Sequence, residues 1–311
     1  MTRILITGAA GMVGRSLLTL LAETDHQIIA TDLHAPDLPA NASFHRLDVT
    51  GPDAERVISE TQPQVIVHLA SIVSPPPGMG RDLAHAVDVQ GTQNILHAAK
   101  THGVKRLIVT SSGAAYGYHA DNPVPLSETD ALRGNPEFAY ADHKRQVEEM
   151  LAQARHDAPD LEQVILRVGT VLGAGTENQI TALFHKPRLL ALSGTESPFV
   201  FIWTEDLARI LLRAATEGPA GIFNVAGDGT LGVTDIAKRL NKPVLRLPAW
   251  ALRAALAFAK PLRLSRYGPE QVAFLQYRPV LSNSALKSGF GYTPKLTSAQ
   301  VFDLWQREAG L

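Results

Sequence analysis

Tyr140 and Lys144 stand four residues apart where the apolar spacing predicts a helix from about Tyr140 to His156, so both side chains share one helix face. An unperturbed phenol titrates near 10, and a cation beside it favours the tyrosinate. Such a pair could exchange a proton with an alcohol hydroxyl near neutral pH. Ser112 closes the fifth predicted strand, where its hydroxyl could orient the reacting oxygen. Alone, a Tyr-x-x-x-Lys pair is usually a surface pair, and a serine after a strand is usually a turn residue. Their weight comes from what precedes them in the chain.

Ile4-Leu5-Ile6-Thr7-Gly8-Ala9-Ala10-Gly11-Met12-Val13-Gly14 sets three glycines between an apolar strand and a helix. Gly8 allows a tight turn, Gly11 lets backbone approach a pyrophosphate, and Gly14 lets the helix pack closely on the sheet. Free amides at the helix start, around Met12 and Val13, would meet the phosphates. Asp32 follows the second strand, 18 residues after Gly14. A carboxylate there, beside Leu33, accepts hydrogen bonds from ribose hydroxyls and repels a 2′-phosphate, which favours NAD over NADP. Asp48 and Val49 follow the third strand, where they could read the adenine edge or simply begin a helix.

The elements that must hold these residues alternate. Strands are predicted at 4–7, 28–31, 44–47, 65–69, 107–110, 164–168 and 222–225, and helices at 12–22, 53–60, 82–100, 140–156 and 205–215. This rhythm predicts an α/β fold, a Rossmann-type doubly wound parallel sheet. Residues 1–169 with 203–229 are expected to form the nucleotide-binding core. Residues 170–202 with 230–311 break the rhythm and are expected to form a smaller C-terminal substrate-binding cap. Pro75-Pro76-Pro77-Gly78 reads as a surface loop.

Composition excludes several classes. The 29 basic and 30 acidic residues give no basic field for nucleic acid. With no cysteine there is neither a disulfide framework nor a thiolate site, and the 11 histidines show no metal-ligand spacing, so no metal is expected. The start of the chain lacks a signal-peptide pattern, and a cytoplasmic location is expected. The apolar stretch 247–262 is interrupted by Pro248, Arg253, Lys260 and Pro261 and is shorter than the roughly 20 residues a bilayer requires. It is expected to be a packed helix, with no membrane association; docking on a membrane surface is the alternative. Phe199, Phe201, Trp203, Trp250 and Phe258 could line a hydrophobic ligand site, but irregular spacing points to ordinary core.

Three patterns together resemble the extended short-chain dehydrogenase/reductase family of the NAD-dependent epimerase/dehydratase type. They are Gly8-x-x-Gly11-x-x-Gly14, Thr110-Ser111-Ser112-Gly113-Ala114-Ala115-Tyr116-Gly117 and Tyr140-Ala141-Asp142-His143-Lys144. The likeness continues through His68-Leu69-Ala70, Leu166-Arg167 and 201–208. It implies that Ser112, Tyr140 and Lys144 are catalytic and that Lys144 also holds the nicotinamide ribose. It further implies that Leu69, Ala70 and Ser71 border the cofactor, that Ser112, Gly113 and Arg278 touch substrate, and that the protein is a homodimer.

Some positions depart from relatives. His143 stands where a hydroxyl residue is common and is expected either to alter access to the nicotinamide or to face solvent. Gly113-Ala114 replaces an acid pair, which argues against dehydration. Phe199 and Thr170 occupy positions that carry arginine and asparagine in nucleotide-sugar enzymes, which weakens a diphosphate clamp. Arg278 resembles that clamp's other arginine, with a surface arginine as the plain alternative. The leading expectation is an NAD-dependent oxidoreductase acting on a secondary alcohol or ketone. The alternatives are a UDP-hexose 4-epimerase with tightly bound NAD and a non-catalytic dinucleotide sensor.

Overall fold

A computed structural model describes residues 1–73, 80–262, 264–265 and 268–311; the Pro75–Gly78 loop lies outside the described residues. Eleven strands are described: β1 Arg3–Thr7, β2 Gln27–Asp32, β3 Ala42–Arg46, β4 Val65–His68, β5 Arg106–Ser112, β6 Glu162–Val168, β7 Thr170–Leu172, β8 Leu189–Leu192, β9 Phe201–Trp203, β10 Gly221–Val225 and β11 Val244–Leu247. Seven of them build one parallel sheet in the order β10-β6-β5-β4-β1-β2-β3. The order runs outward in opposite directions from β1 and β4. That switch point opens a crevice at the carboxyl ends of the two strands, where open α/β sheets bind ligands.

The sheet is covered on both faces, so its strands are apolar runs rather than alternating ones. Ile4 and Ile6 join the cluster under the helices Met12–Leu21 and Thr204–Thr216, while Leu5 joins the cluster under Asp53–Thr61, Gly91–Thr101 and Ala139–Asp157. All three side chains are fully buried. Each such aliphatic contributes about 1.5–3 kcal/mol of burial.

The predicted sheet strands and helices form, with ends shifted by no more than two residues. One helix differs in kind: the stretch expected at 82–100 is interrupted by a π-helical turn at Ala86–Gln90 between Arg81–His85 and Gly91–Thr101. That turn widens the spiral where Asp88 points inward, and π turns of this sort tend to accompany functional sites.

Outside the sheet, β7 pairs with β9 and β8 with β11, both parallel. An aromatic cluster of Phe184, Phe199, Phe201, Phe302 and Trp305 fills the space around them. The five aromatics considered together in the sequence therefore separate. Phe199, Phe201 and Trp203 are core, whereas Trp250 and Phe258 are exposed. The expectation of a packed helix is corrected in part, since Ala249–Ala259 has no buried residue and packs only through half-buried positions such as Leu252 and Leu256.

Candidate active site

Gly8 adopts φ +69, and a Cβ there would lie 2.8 Å from the Ala70 amide nitrogen. A Cβ on Gly14 would meet the Gly8 carbonyl oxygen at 2.4 Å. No side chain fits at either position, and the helix Met12–Leu21 consequently starts hard against the sheet edge with no side-chain cap on its first amides. This cradle of bare backbone and unpaired helix-start amides suits a pyrophosphate. Gly11 bonds back to Gly8 and closes the turn.

Asp32 ends β2 at the same edge. Its carboxylate accepts from the amides of Ala10 and Leu33 at 3.0 and 2.7 Å, which aims it at the glycine loop and leaves lone pairs for further donors. Asp48 spends one carboxylate oxygen on the amide and hydroxyl of Thr50. Its own amide donates to Asp53, so Asp53 ties down the start of the next helix. Val49 is buried against Gly91.

A cavity of about 1060 Å³ opens beside the glycine loop at the carboxyl ends of the strands. Met12, Val13, Leu69, Ser71, Ser112, Gly113, Tyr140, Lys144 and Arg278 all line it. Three elements bring the reactive groups together. Ser112 ends β5 and caps the 3-10 turn Gly113–Tyr116 by accepting from the Ala114 amide. Tyr140 and Lys144 lie in the first two turns of Ala139–Asp157 and face the same wall.

Lys144 is buried and donates to the Thr110 carbonyl oxygen at 2.9 Å, which leaves two of its three N–H donors free. Burial holds its ammonium below the ordinary lysine range, against the pull of the Asp88 and Glu148 carboxylates. Its Nζ lies 5.6 Å from the Tyr140 ring centroid. Burial pushes the Tyr140 phenol above its ordinary value, and the Ser112 hydroxyl acts in the opposite direction. Within the polypeptide, desolvation of the phenolate outweighs the Ser112 hydrogen bond, whereas the lowering expected beside Lys144 includes the positive charge of a bound nicotinamide ring.

Several residues that shape the site carry no local sequence signal. Asp88, almost fully buried, accepts from Ser71 Oγ at 2.8 Å and the Ile72 amide at 2.9 Å, and so anchors the loop after β4. Burial acts to raise its pKa, but His143, the Lys144 charge, the Ile72 amide and Ser71 together hold it below the usual carboxylate value. His143 faces neither the cavity nor solvent. It is 1% exposed, its Nδ1 lies 3.2 Å from Asp88, and its ring meets the edge of His85. Both expectations for it are corrected, since the helix turns this position toward the π-helical segment rather than the crevice.

His68 is enclosed beneath the site, with Nδ1 2.7 Å from Thr7 Oγ1 and Nε2 3.0 Å from Thr92 Oγ1. Thr92 already donates its hydroxyl hydrogen to the Asp88 carbonyl oxygen, so His68 donates from Nε2 and accepts at Nδ1 as a neutral ring. Burial drives its pKa down to about 3 from 6.5. Because the unfolded chain takes up this proton first, His68 favours folding above pH 6.5, and that contribution fades as pH falls toward 3. The expected loss is about 2 kcal/mol between pH 6.5 and 5, at roughly 1.4 kcal/mol per pH unit. Urea unfolding at pH 7 and 5 checks it, with His68→Gln showing the shallower dependence.

Arg278 is half-buried at the far end of the cavity, not a surface arginine. Its guanidinium lies 3.9 Å from the Phe199 ring centroid and 5.1 Å from that of Phe274, and Nη1 donates to the Ser197 carbonyl oxygen. No carboxylate pairs with it among the described residues, and its buried Nε has no partner there. Burial lowers its pKa to about 9.

Residues 4–226 match the family described as the NAD dependent epimerase/dehydratase family. An uncharacterized protein of Mycobacterium tuberculosis is 25% identical over 99% of this chain and 84% of its own length. The decarboxylating sterol-4-alpha-carboxylate 3-dehydrogenase of Saccharomyces cerevisiae is 30% identical over 60% of this chain and 56% of its own. Among solved structures, a UDP-glucose 4-epimerase of Thermotoga maritima with UDP-glucose superposes with a TM-score of 0.78 at 22% identity, covering 99% of this chain and 98% of the other. The match begins in the first strand and ends just past the last strand of the sheet, with the glycine cradle and Ser112, Tyr140 and Lys144 included, and the chain accordingly belongs to the NAD-dependent epimerase/dehydratase family and is an NAD-dependent enzyme.

Proposed function

We propose that the protein oxidises a secondary alcohol, or reduces the matching ketone, in this cavity. Bound NAD supplies the acceptor or donor of the hydride. Tyr140 exchanges a proton with the substrate oxygen at its phenol, taking it during alcohol oxidation and returning it during ketone reduction. Ser112 orients that oxygen by hydrogen bonding. Lys144, steadied by Thr110, directs its free N–H donors at the nicotinamide ribose and keeps positive charge near the phenol. Gly8, Gly11, Met12, Val13 and Gly14 receive the pyrophosphate, Asp32 and Leu33 the adenosine ribose, and Asp48 and Val49 the adenine side. Leu69, Ala70 and Ser71 border the nicotinamide half.

One observation carries this reading: Ser112, Tyr140 and Lys144 share one cavity wall beside the glycine cradle. Gly113, beside Ser112, and Arg278, against Phe199, are proposed to contact substrate. Arg278 would receive an anionic substituent on an otherwise apolar body, since the rings of Phe199 and Phe274 flank its guanidinium. The yeast sterol carboxylate dehydrogenase supports a redox reaction on such a molecule. The second reading is a nucleotide-sugar 4-epimerase, supported by the shared architecture with the Thermotoga enzyme. Phe199 in place of a second arginine counts against it.

Residues 1–169 with 203–229 are taken as the nucleotide-binding part and 170–202 with 230–311 as the cap, supported by the separate aromatic cluster of the latter segments. Homodimerisation is proposed through Arg81–Thr101 and Ala139–Asp157, which lie side by side through Arg81–Asp142 and His85–Gln146 contacts. Cytoplasmic residence is proposed on the cysteine-free composition.

Purified protein incubated with NAD and a panel of apolar alcohols, hydroxy acids and UDP-sugars distinguishes the readings. Accumulation of NADH with an alcohol is the expected result. Sugar interconversion without net NADH would replace it with the epimerase reading, and no reaction together with no NAD binding would remove both.

A further inference from the structure

The helix Ala249–Ala259 follows a pattern opposite to that of a globular surface. Trp250, Ala254 and Phe258 fall at i, i+4 and i+8, on one face, and that face is exposed. Trp250 is 73% and Phe258 75% exposed, and the chain continues into Leu262 and Leu264 at 66% and 79%. These four are among the most exposed large apolar side chains of the described residues, and they lie within fifteen positions of one another. A contiguous apolar stripe of this kind marks an interaction surface.

Charge identifies the partner. Residues 236–269 contain eight lysines and arginines and no acidic residue, in a chain whose net charge is −1. Arg253 lies on the exposed side of the helix, with no ion pair among the described residues. Lys260 follows at its end and pairs only with Glu270 there. A stripe of Trp, Phe and Leu flanked by cations is what an anionic lipid surface binds: the rings and aliphatics enter the headgroup boundary while the basic groups meet lipid phosphates and carboxylates. A second copy of the same face would set like charges against each other. No described helix is long and apolar enough to cross a membrane, so the contact lies in the plane of the surface.

We propose that Ala249–Ala259, with Leu262 and Leu264, docks the enzyme on an anionic lipid bilayer. The helix Gln271–Gln276, packed against Ala249–Ala259, sends Gln271 and Phe274 into the cavity wall, so docking sets that wall beside the lipid. This inference does not depend on which reaction the cavity supports, and it replaces the expectation of no membrane association.

Flotation of the full chain with vesicles tests it. On phosphatidylcholine containing about 30 mol% phosphatidylserine at low salt, the bound fraction should exceed that on pure phosphatidylcholine by about tenfold. It should fall severalfold when sodium chloride rises from about 0.05 to about 0.5 M. Trp203 and Trp305 are buried, so a blue shift of tryptophan emission on binding reports Trp250. The double variant Trp250→Ser/Phe258→Ser should lose about tenfold of the binding, and Arg253→Glu several-fold. Both should keep the thermal midpoint and NAD affinity of the parent, as all three sites are exposed. Failure of the parent to float with anionic vesicles, equal binding to both lipids, equal binding by the double variant, or a parent dimer that this variant makes monomeric would each overturn the proposal.

Discussion

Tyr140→Phe is expected to lower turnover by about 10²–10⁴-fold, the range that a positioned proton-transfer group supplies. NAD affinity should change little. The phenylalanine keeps the ring that lines the cavity and removes only the hydroxyl; the glycine cradle, the Asp32 carboxylate and the Lys144 ammonium remain in place. NADH absorbance reads turnover, and calorimetric titration with NAD reads binding. Equal losses in both would mean that Tyr140 acts through the fold, and unchanged turnover would remove it from the chemistry. Because burial holds the phenol high, the rate of alcohol oxidation should rise with pH across the neutral range in the parent and lose that dependence in Tyr140→Phe.

Arg167→Met should have the largest effect on stability, a loss of about 3–5 kcal/mol, because it strands a buried carboxylate. Arg167 and Glu148 are 4% and 3% exposed. Arg167 Nε and Nη2 donate to the Glu148 carboxylate at 2.9 and 2.7 Å, and its Nη1 donates to Tyr116 Oη and the Glu128 carbonyl oxygen. Ser111 donates to the same carboxylate at 2.5 Å. One ion pair thereby ties β6 to the residue next to Ser112 and to the helix one turn beyond Lys144. Thermal unfolding should show a fall on the order of 10 °C. The double variant Arg167→Met/Glu148→Met should recover part of the loss, since two apolar groups leave no unpaired charge. If the single and double variants unfold alike, the pair is not what holds these elements together.

Much of the nucleotide half was legible in the chain because its signals are local. Ile4-Leu5-Ile6 followed by the glycines predicts strand, turn and helix within about a dozen residues, and the packing at Gly8 and Gly14 requires those glycines. Tyr140 and Lys144 were legible because helical periodicity alone puts them on one face. His143 was not, since which way its face turns depends on Asp88, 55 positions earlier, and on a π turn that periodicity does not encode. The upward push on the Tyr140 phenol within the polypeptide was not legible for a related reason: a neighbouring cation is visible in sequence, but the desolvation of the phenol is not.

By itself the sequence determined the strand and helix alternation, the glycine cradle, the acid after β2 and the Ser, Tyr and Lys set, each of which depends on residue type and short-range spacing. Only the tertiary structure decided that Arg278 lies on Phe199, that Arg167 and Glu148 are buried together, that Asp88 anchors the loop after β4, and that Trp250 and Phe258 face outward while Phe199 and Phe201 face inward. Those outcomes depend on which distant surfaces meet. An apolar pattern records how strongly a helix face avoids water, but only the packed chain shows whether anything in the same molecule covers it.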